Sequence, residues 1–546
     1  MRKFKFRSVV QLANAKMSVK AAAIVLASST MISALLGLFR DRLLNSYYLG
    51  TYPTGIDAYT AAFTIPDFMF FILTSGALAV SFIPVFNQRL ASGNKKSAWE
   101  MSSSLLNLLA LITLVASILI MIFADPLIRY VVSPGLDESG MILAINMTRV
   151  IAMNPFLFSI ATVLTSMQQA VGRFVFYAFA PAIYNIGIII GITCFTGGIN
   201  IFGWQIFEGG IMGVAIGVIL GALMQLSVAL MGLFGLGFDY EFKISWKNQG
   251  FRTILKLLPP RSLDQGIDYI NSIVSTNLSS RMGAGAVRSF DQATTLQSMP
   301  VSLIGVAIST AFFPKLTEEL GSGDKKEFYN TFRQALGMIT WISLPVAAIA
   351  FFARGYVTSF ISNIGNNDSN GTIASILGTL CIAIFARSVF HIASRGFYAY
   401  QDTKTPFRVS IVAIGLTILM SVAAYLLGWG VDGLGLAQSI GALIEIGILL
   451  FILQRRSRGQ LLTKNFFMTF IKMLVATAVA GCVAFSLTKF IPLMATDTSL
   501  VITIPKFLVI AGLSVVAYII ASYFLNLEEV KPIIAYVKKV VFRNAK

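Results

Sequence analysis

Phe82-Ile83-Pro84, then Leu90, then Ser92-Gly93-Asn94-Lys95-Lys96 comes back as Phe312-Phe313-Pro314, Leu320 and Ser322-Gly323-Asp324-Lys325-Lys326, at a constant offset of 230 residues. In each copy an apolar helix ends and a short basic loop leads into the next long apolar run. A repeat on this scale among apolar helices points to a two-lobed transporter with its substrate path between the lobes. Working outward, each copy sits within six apolar runs. Six is even, so both lobes enter from the same side, which predicts a parallel repeat about an axis along the membrane normal.

The composition places those runs in a membrane. The chain is 56% hydrophobic and 12% charged, with mean hydropathy +0.78, against roughly 25% charged for ordinary soluble domains. A span needs about 20 mainly apolar residues, and about fourteen such runs are present. The fold class read from this is an all-α polytopic membrane protein of about fourteen transmembrane helices. The organisation reads as a first lobe over 1–235, a mixed-charge linker over 236–255 and a second lobe over 256–458, closing on Arg455-Arg456-Ser457-Arg458. A final segment over 459–546 holds two further spans and a basic tail. The basic start Met1-Arg2-Lys3-Phe4-Lys5-Phe6-Arg7 precedes an apolar helix without a cleavage signature, so it is read as leading into an uncleaved first span with a cytoplasmic start.

The net charge is +18. With the start inside and an even number of spans, most Lys and Arg fall on the cytoplasmic side. That asymmetry is the positive-inside pattern, with attraction to anionic lipids as its consequence, so no nucleic-acid partner is indicated. Cys194, Cys381 and Cys482 each lie inside an apolar run without paired spacing, which indicates neither a disulfide framework nor a metal site. The one histidine, His391, excludes a His-rich metal site.

Charges at membrane depth are costly and usually face a hydrated cavity or each other. Arg261, Asp264, Asp268, Asn271, Ser275 and Ser279 recur every three or four residues, on one helical face, and read as a hydrated wall or as an interfacial ion pair followed by hydrogen-bonding residues. Ser29, Ser33, Gly37 and Arg40 share a face of the first span, with Asp41 and Arg42 following. Guanidinium binds phosphate bidentately, so Arg40 and Arg42 are candidate diphosphate contacts, or else an interfacial pair neutralised by Asp41. Asp57 and Asp67 bracket the start of the second span as partners for either arginine. Arg387, His391 and Arg395 fall at spacing four as a proton relay or pH sensor, or as a packed histidine between arginines. Arg149 and Glu445 stand isolated. No catalytic residue and no cofactor is indicated.

An ordered set of motifs then resembles the MurJ/MviN lipid II flippase family of the multidrug/oligosaccharidyl-lipid/polysaccharide exporter superfamily. The set is Gly37-Leu38-Phe39-Arg40-Asp41, Asp57-Ala58-Tyr59, Ile65-Pro66-Asp67, Gly76-Ala77-Leu78, Phe82-Ile83-Pro84, Gly172-Arg173-Phe174, Leu258-Pro259, Phe290-Asp291 and Gly396 to Pro406. The resemblance implies a non-enzymatic flippase that carries an undecaprenyl-diphosphate-linked precursor from the inner to the outer leaflet of the bacterial cytoplasmic membrane by alternating access. It also implies that both termini are cytoplasmic, and that Arg40, Asp41 and Asp57 match family site positions. Asp291 and Gln292 stand where the family has Asp-Arg. Phe70-Phe71 stand where it often has two arginines, Ala34 where it has arginine, and Ser75 where it has glutamate. Arg42, Arg261, Arg281 and Arg288 are candidate replacements. A coupling ion or the membrane potential, membrane lipids, and cell-wall synthesis and division proteins complete the expected partners. Export of another polyprenyl-linked glycan, export of a small molecule, and a non-transporting cell-wall scaffold remain alternatives, with a polytopic glycosyltransferase behind them.

Overall fold

The computed structural model describes residues 14, 16–201, 204–362, 367–494 and 496–531; within them the side chains of 19–20, 23, 75–81, 199–201, 204–206, 257–268 and 367–369 are outside the description. The basic start Met1–Arg7 and most of the basic tail therefore lie outside the described residues. The chain forms two compact units, residues 1–287 and 288–546.

The first unit contains α1 (Val19–Tyr48), α2 (Pro53–Phe70), α3 (Gly76–Ala91), α4 (Lys95–Ile122), α5 (Glu138–Ile151), α6 (Asn154–Ala170), α7 (Val175–Ile190), α8 (Met212–Met231) and α9 (Gln249–Ser280). A short antiparallel hairpin, β1 (Ile199–Ile201) with β2 (Trp204–Phe207), links α7 to α8. The second unit contains α10 (Ala286–Val301, whose first two residues precede the division), α11 (Ala307–Gly321), α12 (Lys325–Phe352), α13 (Asn367–Ala399), α14 (Lys404–Leu426) and α15 (Gly430–Arg456). It ends with α16 (Lys464–Phe490) and α17 (Leu500–Phe524).

Among the described residues, thirteen helical segments are long and apolar enough to cross a membrane. They account for every apolar run read from the sequence except the polar one near residue 268. That run is α9, whose 32 residues reach about 48 Å at 1.5 Å per residue, enough to cross. α9 packs in the first unit, with Tyr269 stacked on Phe71 at 4.5 Å between ring centroids. The packing division thus falls one helix later than the repeat boundary read from the sequence.

The repeat is structural as well as sequential. α2 passes into α3 through a π-helical turn, Phe71–Ser75, and α10 passes into α11 through another, Ser302–Val306. Both bent helices end on a glycine in the left-handed region, Gly93 at φ 76° and Gly323 at φ 83°, where only glycine is unstrained. The next helix is capped in each copy by the residue after it. Asn94 Oδ1 accepts from Ser97 N at 3.1 Å, and Asp324 Oδ1 accepts from Glu327 N at 3.0 Å.

Without a hydrophobic drive between helices in lipid, close backbone packing holds them together. α7 and α8 meet through glycines one turn apart. A Cβ on Gly187 would lie 2.2 Å from Gly221 Cα, and one on Gly191 would lie 2.5 Å from Gly217 Cα. A Gly191→Leu substitution is expected to force the helices apart, at a cost above the roughly 1–3 kcal/mol of ordinary overpacking. The measurement is melting temperature and monodisperse yield of the purified protein. Both should fall sharply, and an unchanged melt would contradict the packing.

α16 and α17, the two helices outside the repeat, seat on α12. Trp341 Nε1 donates to Ser522 Oγ at 3.1 Å and its ring lies 5.3 Å from that of Tyr518. Met473, Ala476 and Ala480 complete that core.

Candidate functional site: the arginine node of the first unit

Arg40 lies in the second half of α1, on a side of the helix that meets α7. Its Nη1 donates to Asn185 Oδ1 at 2.9 Å, while Nε and Nη2 both reach Asp41 Oδ1, at 3.2 and 3.0 Å. Asn185 is itself fixed, its Nδ2 donating to the carbonyls of Ser33 at 3.2 Å and Pro181 at 3.3 Å. Gly37 lies beside this amide, where a Cβ would make an ordinary contact, 3.8 Å from Asn185 Nδ2. A guanidinium has five N–H groups. Three are engaged here, which leaves one on each terminal nitrogen. The Arg40 side chain is 24% exposed and that of Asp41 only 7%. A mostly buried guanidinium inside an apolar span needs polar partners, and Asp41 and Asn185 supply them. Of the acids expected to serve Arg40, the one it engages is its neighbour Asp41, not Asp57 or Asp67.

Asp57, near the start of α2, is 1% exposed. Its Oδ2 accepts from Gly285 N at 2.6 Å, a bond spanning 228 residues. It ties α2 to the segment just after α9. The same end of α9 is held by Asn277 Nδ2 donating to Val131 O at 2.7 Å and by Gly135 N donating to Ser280 Oγ at 3.2 Å.

The other predicted site residues are more dispersed. Arg42 is half-buried on α1. Arg261, Asp264 and Asp268 fall where side chains are outside the described residues. The rest of that stripe, Asn271, Ser275 and Ser279, is buried. Asp291 and Gln292 belong to the second unit, where Asp291 Oδ2 receives Arg288 Nη1 at 3.4 Å and Gln292 Nε2 at 3.2 Å. Arg288 is buried there with a side chain 5% exposed, against 45% for Asp291. Arg281 is exposed and reaches Asn277 Oδ1 at 3.3 Å.

Arg387, His391 and Arg395 share a face of α13 as their spacing requires, but they do not form a relay chain. Arg387 Nη1 pairs with Glu445 of α15 at 3.3 Å, and Ser410 Oγ of α14 donates to the same carboxylate at 2.7 Å. Arg395 turns the other way, to Ser309 and Thr310 of α11. His391 packs at the second π turn, where a Cβ on Gly305 would lie 3.1 Å from its ring. Among the described residues no hydrogen bond joins it to either arginine. Equal spacing fixes a shared face, not a shared partner.

The Gly396–Pro406 motif is a joint between helices. Arg456 lies over the rings of Phe397 and Tyr400, 5.3 and 5.2 Å from their centroids. Its Nη2 pairs with Asp402 Oδ2 at 2.6 Å, and Asp402 also accepts from Thr405 N at 3.0 Å and Thr405 Oγ1 at 2.8 Å. Burial pushes the Asp402 carboxyl up, but the Arg456 and Thr405 hydrogen bonds outweigh it and hold the group below the usual aspartate value. Its native value is depressed, so the contribution is whole above an unfolded value of about 4 and is lost as pH falls through the native one. Thermal melts of wild type and Asp402→Asn across pH 3 to 7 should therefore show an advantage of the wild type near neutrality that shrinks in the acid range. A gap that widens on acidification would contradict this.

Sequence reading missed Asn185 and Gly285, and it left Glu445 isolated where the structure pairs it with Arg387 and Ser410. An asparagine inside the apolar run of α7 was the available signal for the first. A glutamate inside α15 was the signal for the last. A backbone N–H such as that of Gly285 leaves none.

A sequence model of the lipid II flippase MurJ family matches residues 45–504. The chain belongs to the MurJ lipid II flippase family. The match includes Asp57 and begins just after Arg40, Asp41 and Arg42. Among its relatives, the lipid II flippase MurJ of Burkholderia cenocepacia is 26% identical over 442 residues, covering 79% of this chain and 82% of the relative. The probable lipid II flippase MurJ of Buchnera aphidicola is 28% identical over 396 residues, 72% of this chain and 75% of the relative. A solved lipid II flippase MurJ in an inward closed conformation shares the fold, with TM-score 0.73 and 22% identity over 92% of this chain and 99% of that one. A multidrug resistance MATE family transporter of the MOP superfamily, in an inward-facing conformation, also shares the fold, at TM-score 0.66 and 19% identity, over 81% of this chain and 99% of that one. The fold is thus shared with a solved MurJ and with a MATE transporter, in a multi-pass membrane protein.

Proposed function

We propose that this chain carries lipid II, the lipid-linked peptidoglycan precursor, from the inner to the outer leaflet of the bacterial cytoplasmic membrane. Membership of the MurJ family over residues 45–504 is the observation that carries this reading. The Arg40 node supports it chemically. A guanidinium oriented by Asp41 and Asn185, with one N–H left on each terminal nitrogen, presents the two-pronged donor that a diphosphate accepts. Nothing in such a cycle needs bond chemistry, so the reading is of a carrier rather than an enzyme. The distribution of positive charge supports placing both termini on the cytoplasmic side.

In this cycle the headgroup meets Arg40, the carrier reopens on the other side by alternating access, and an ion or the membrane potential resets it. One elementary charge crossing is worth about 2.3 kcal/mol per 100 mV. Cell-wall synthesis and division proteins are the partners such a carrier would serve.

The test is transport by the purified chain in proteoliposomes holding lipid II, followed with a membrane-impermeant enzyme that cleaves only outward-facing headgroups. Cleavage passing the outer-leaflet fraction, with time and only in the presence of protein, is the expected result. Cleavage that stops at the outer-leaflet fraction in vesicles shown to contain folded protein would overturn the reading.

A further inference from the structure

Arg395 is built like a ligand site. It lies one turn before the end of α13, half-buried, and its Nε donates to Ser309 Oγ at 3.0 Å while Nη2 donates to Thr310 Oγ1 at 2.8 Å. Both hydroxyls are held as acceptors, because each sends its own proton to Val306 O, at 3.1 and 2.6 Å. Val306 closes the π turn of the second unit, and its carbonyl takes both hydroxyls because they stand three and four residues after it on the helix. The guanidinium also lies over the ring of Phe313, 5.3 Å from its centroid.

Every one of these partners is neutral. Among the described residues no carboxylate is within ion-pairing distance of Arg395, whereas Arg387, two turns earlier, is paired with Glu445. Three of the five N–H groups of Arg395 remain, two on Nη1 and one on Nη2. They lie beside Thr310, which is exposed. A fixed, half-buried cation with no counter-charge and three undirected donors is suited to an anionic oxygen cluster.

We propose that Arg395, fixed by Ser309 and Thr310, is a recognition site in the second unit for a lipid-borne phosphate. The ligand chemistry is a phosphate ester at the membrane surface, supplied either by a bilayer phospholipid or by the diphosphate of the transported precursor. Only the second source rests on the function proposed above. Generic attraction of a snorkelling arginine to the interface needs neither oriented hydroxyls nor a preset fork.

The test uses the purified full chain in detergent, with bound lipid counted by native mass spectrometry during titration with phosphatidylglycerol, lipid II or diacylglycerol, which lacks phosphate. Arg395→Gln should weaken binding of at least one phosphate lipid about tenfold, the loss of one charge-assisted contact, and leave diacylglycerol unchanged. Thr310→Val removes the exposed acceptor, keeps the shape, and should give a smaller loss in the same direction, which guards against misfolding of the first variant. Loss confined to phosphatidylglycerol assigns the site to bilayer lipid, and loss confined to lipid II assigns it to the substrate. Unchanged binding of both phosphate lipids in folded Arg395→Gln protein overturns the site. The phosphatidylglycerol arm reads out whether or not the chain transports lipid II.

Discussion

Arg40→Glu is expected to abolish lipid II flipping while the protein still reaches the membrane and purifies as a single species. The substitution removes the fork proposed to take the diphosphate and puts a carboxylate beside Asp41, so on that proposal the headgroup would meet two negative charges in place of a cation. Each charge-assisted contact is worth about 1.5–3 kcal/mol, so losing two predicts a fall of roughly a hundredfold or more, and repulsion adds to it. The fold should survive, because Arg40 is partly exposed and Asp41 keeps other polar contacts. Arg40→Lys separates charge from geometry. A lysine keeps the charge but cannot reach Asn185 and Asp41 together while addressing a ligand, so it should retain only part of the activity. The readouts are outer-leaflet lipid II and size-exclusion behaviour of the same variants. Wild-type flipping by Arg40→Glu would remove Arg40 from the headgroup site.

Asp57→Ala should release the segment around Gly285. The buried carboxylate accepts from Gly285 N at 2.6 Å. A charge-assisted bond in a dry site contributes about 1.5–3 kcal/mol, which corresponds to a roughly tenfold to hundredfold change in how often the contact opens. Hydrogen exchange of a peptide covering 283–287 reads this directly and should accelerate by that factor. Asp57→Asn keeps an oxygen acceptor without the charge and should fall between. Transport is expected to slow as well, because α2 would no longer hold the segment that follows α9. Exchange at 283–287 that matches wild type would show that the bond does not hold the segment.

The helices were legible because lipid imposes a simple demand, a run of about 20 apolar residues, and the repeat because its glycine and cap recur at a fixed offset. Gly93 with Asn94 and Gly323 with Asp324 perform the same local task twice. The candidate site was legible only in part. Arg40 stood out as a charge in an apolar span. Its orientation depends on Asn185, 145 residues away, and helical periodicity carries no information about a partner on another helix. The α13 stripe teaches the same lesson. Spacing placed Arg387 and Arg395 on one face, yet one pairs with Glu445 and the other with Ser309 and Thr310. The π turns follow helices that contain Pro66 and Pro300, but a proline in the sequence does not say whether a helix continues as α or π after it. The motif that carried the family resemblance most specifically, Gly396 to Pro406, proved to be a joint closed by Arg456 and Asp402, because aromatic and turn residues are as useful for fixing helices as for touching a ligand.

The most direct test of the account is outer-leaflet exposure of lipid II in cells depleted of their own MurJ and carrying this chain. The account predicts restored growth together with restored exposure for the wild-type sequence, and neither for Arg40→Glu expressed at the same level. Stable membrane expression of the wild-type chain with no lipid II exposed would contradict it.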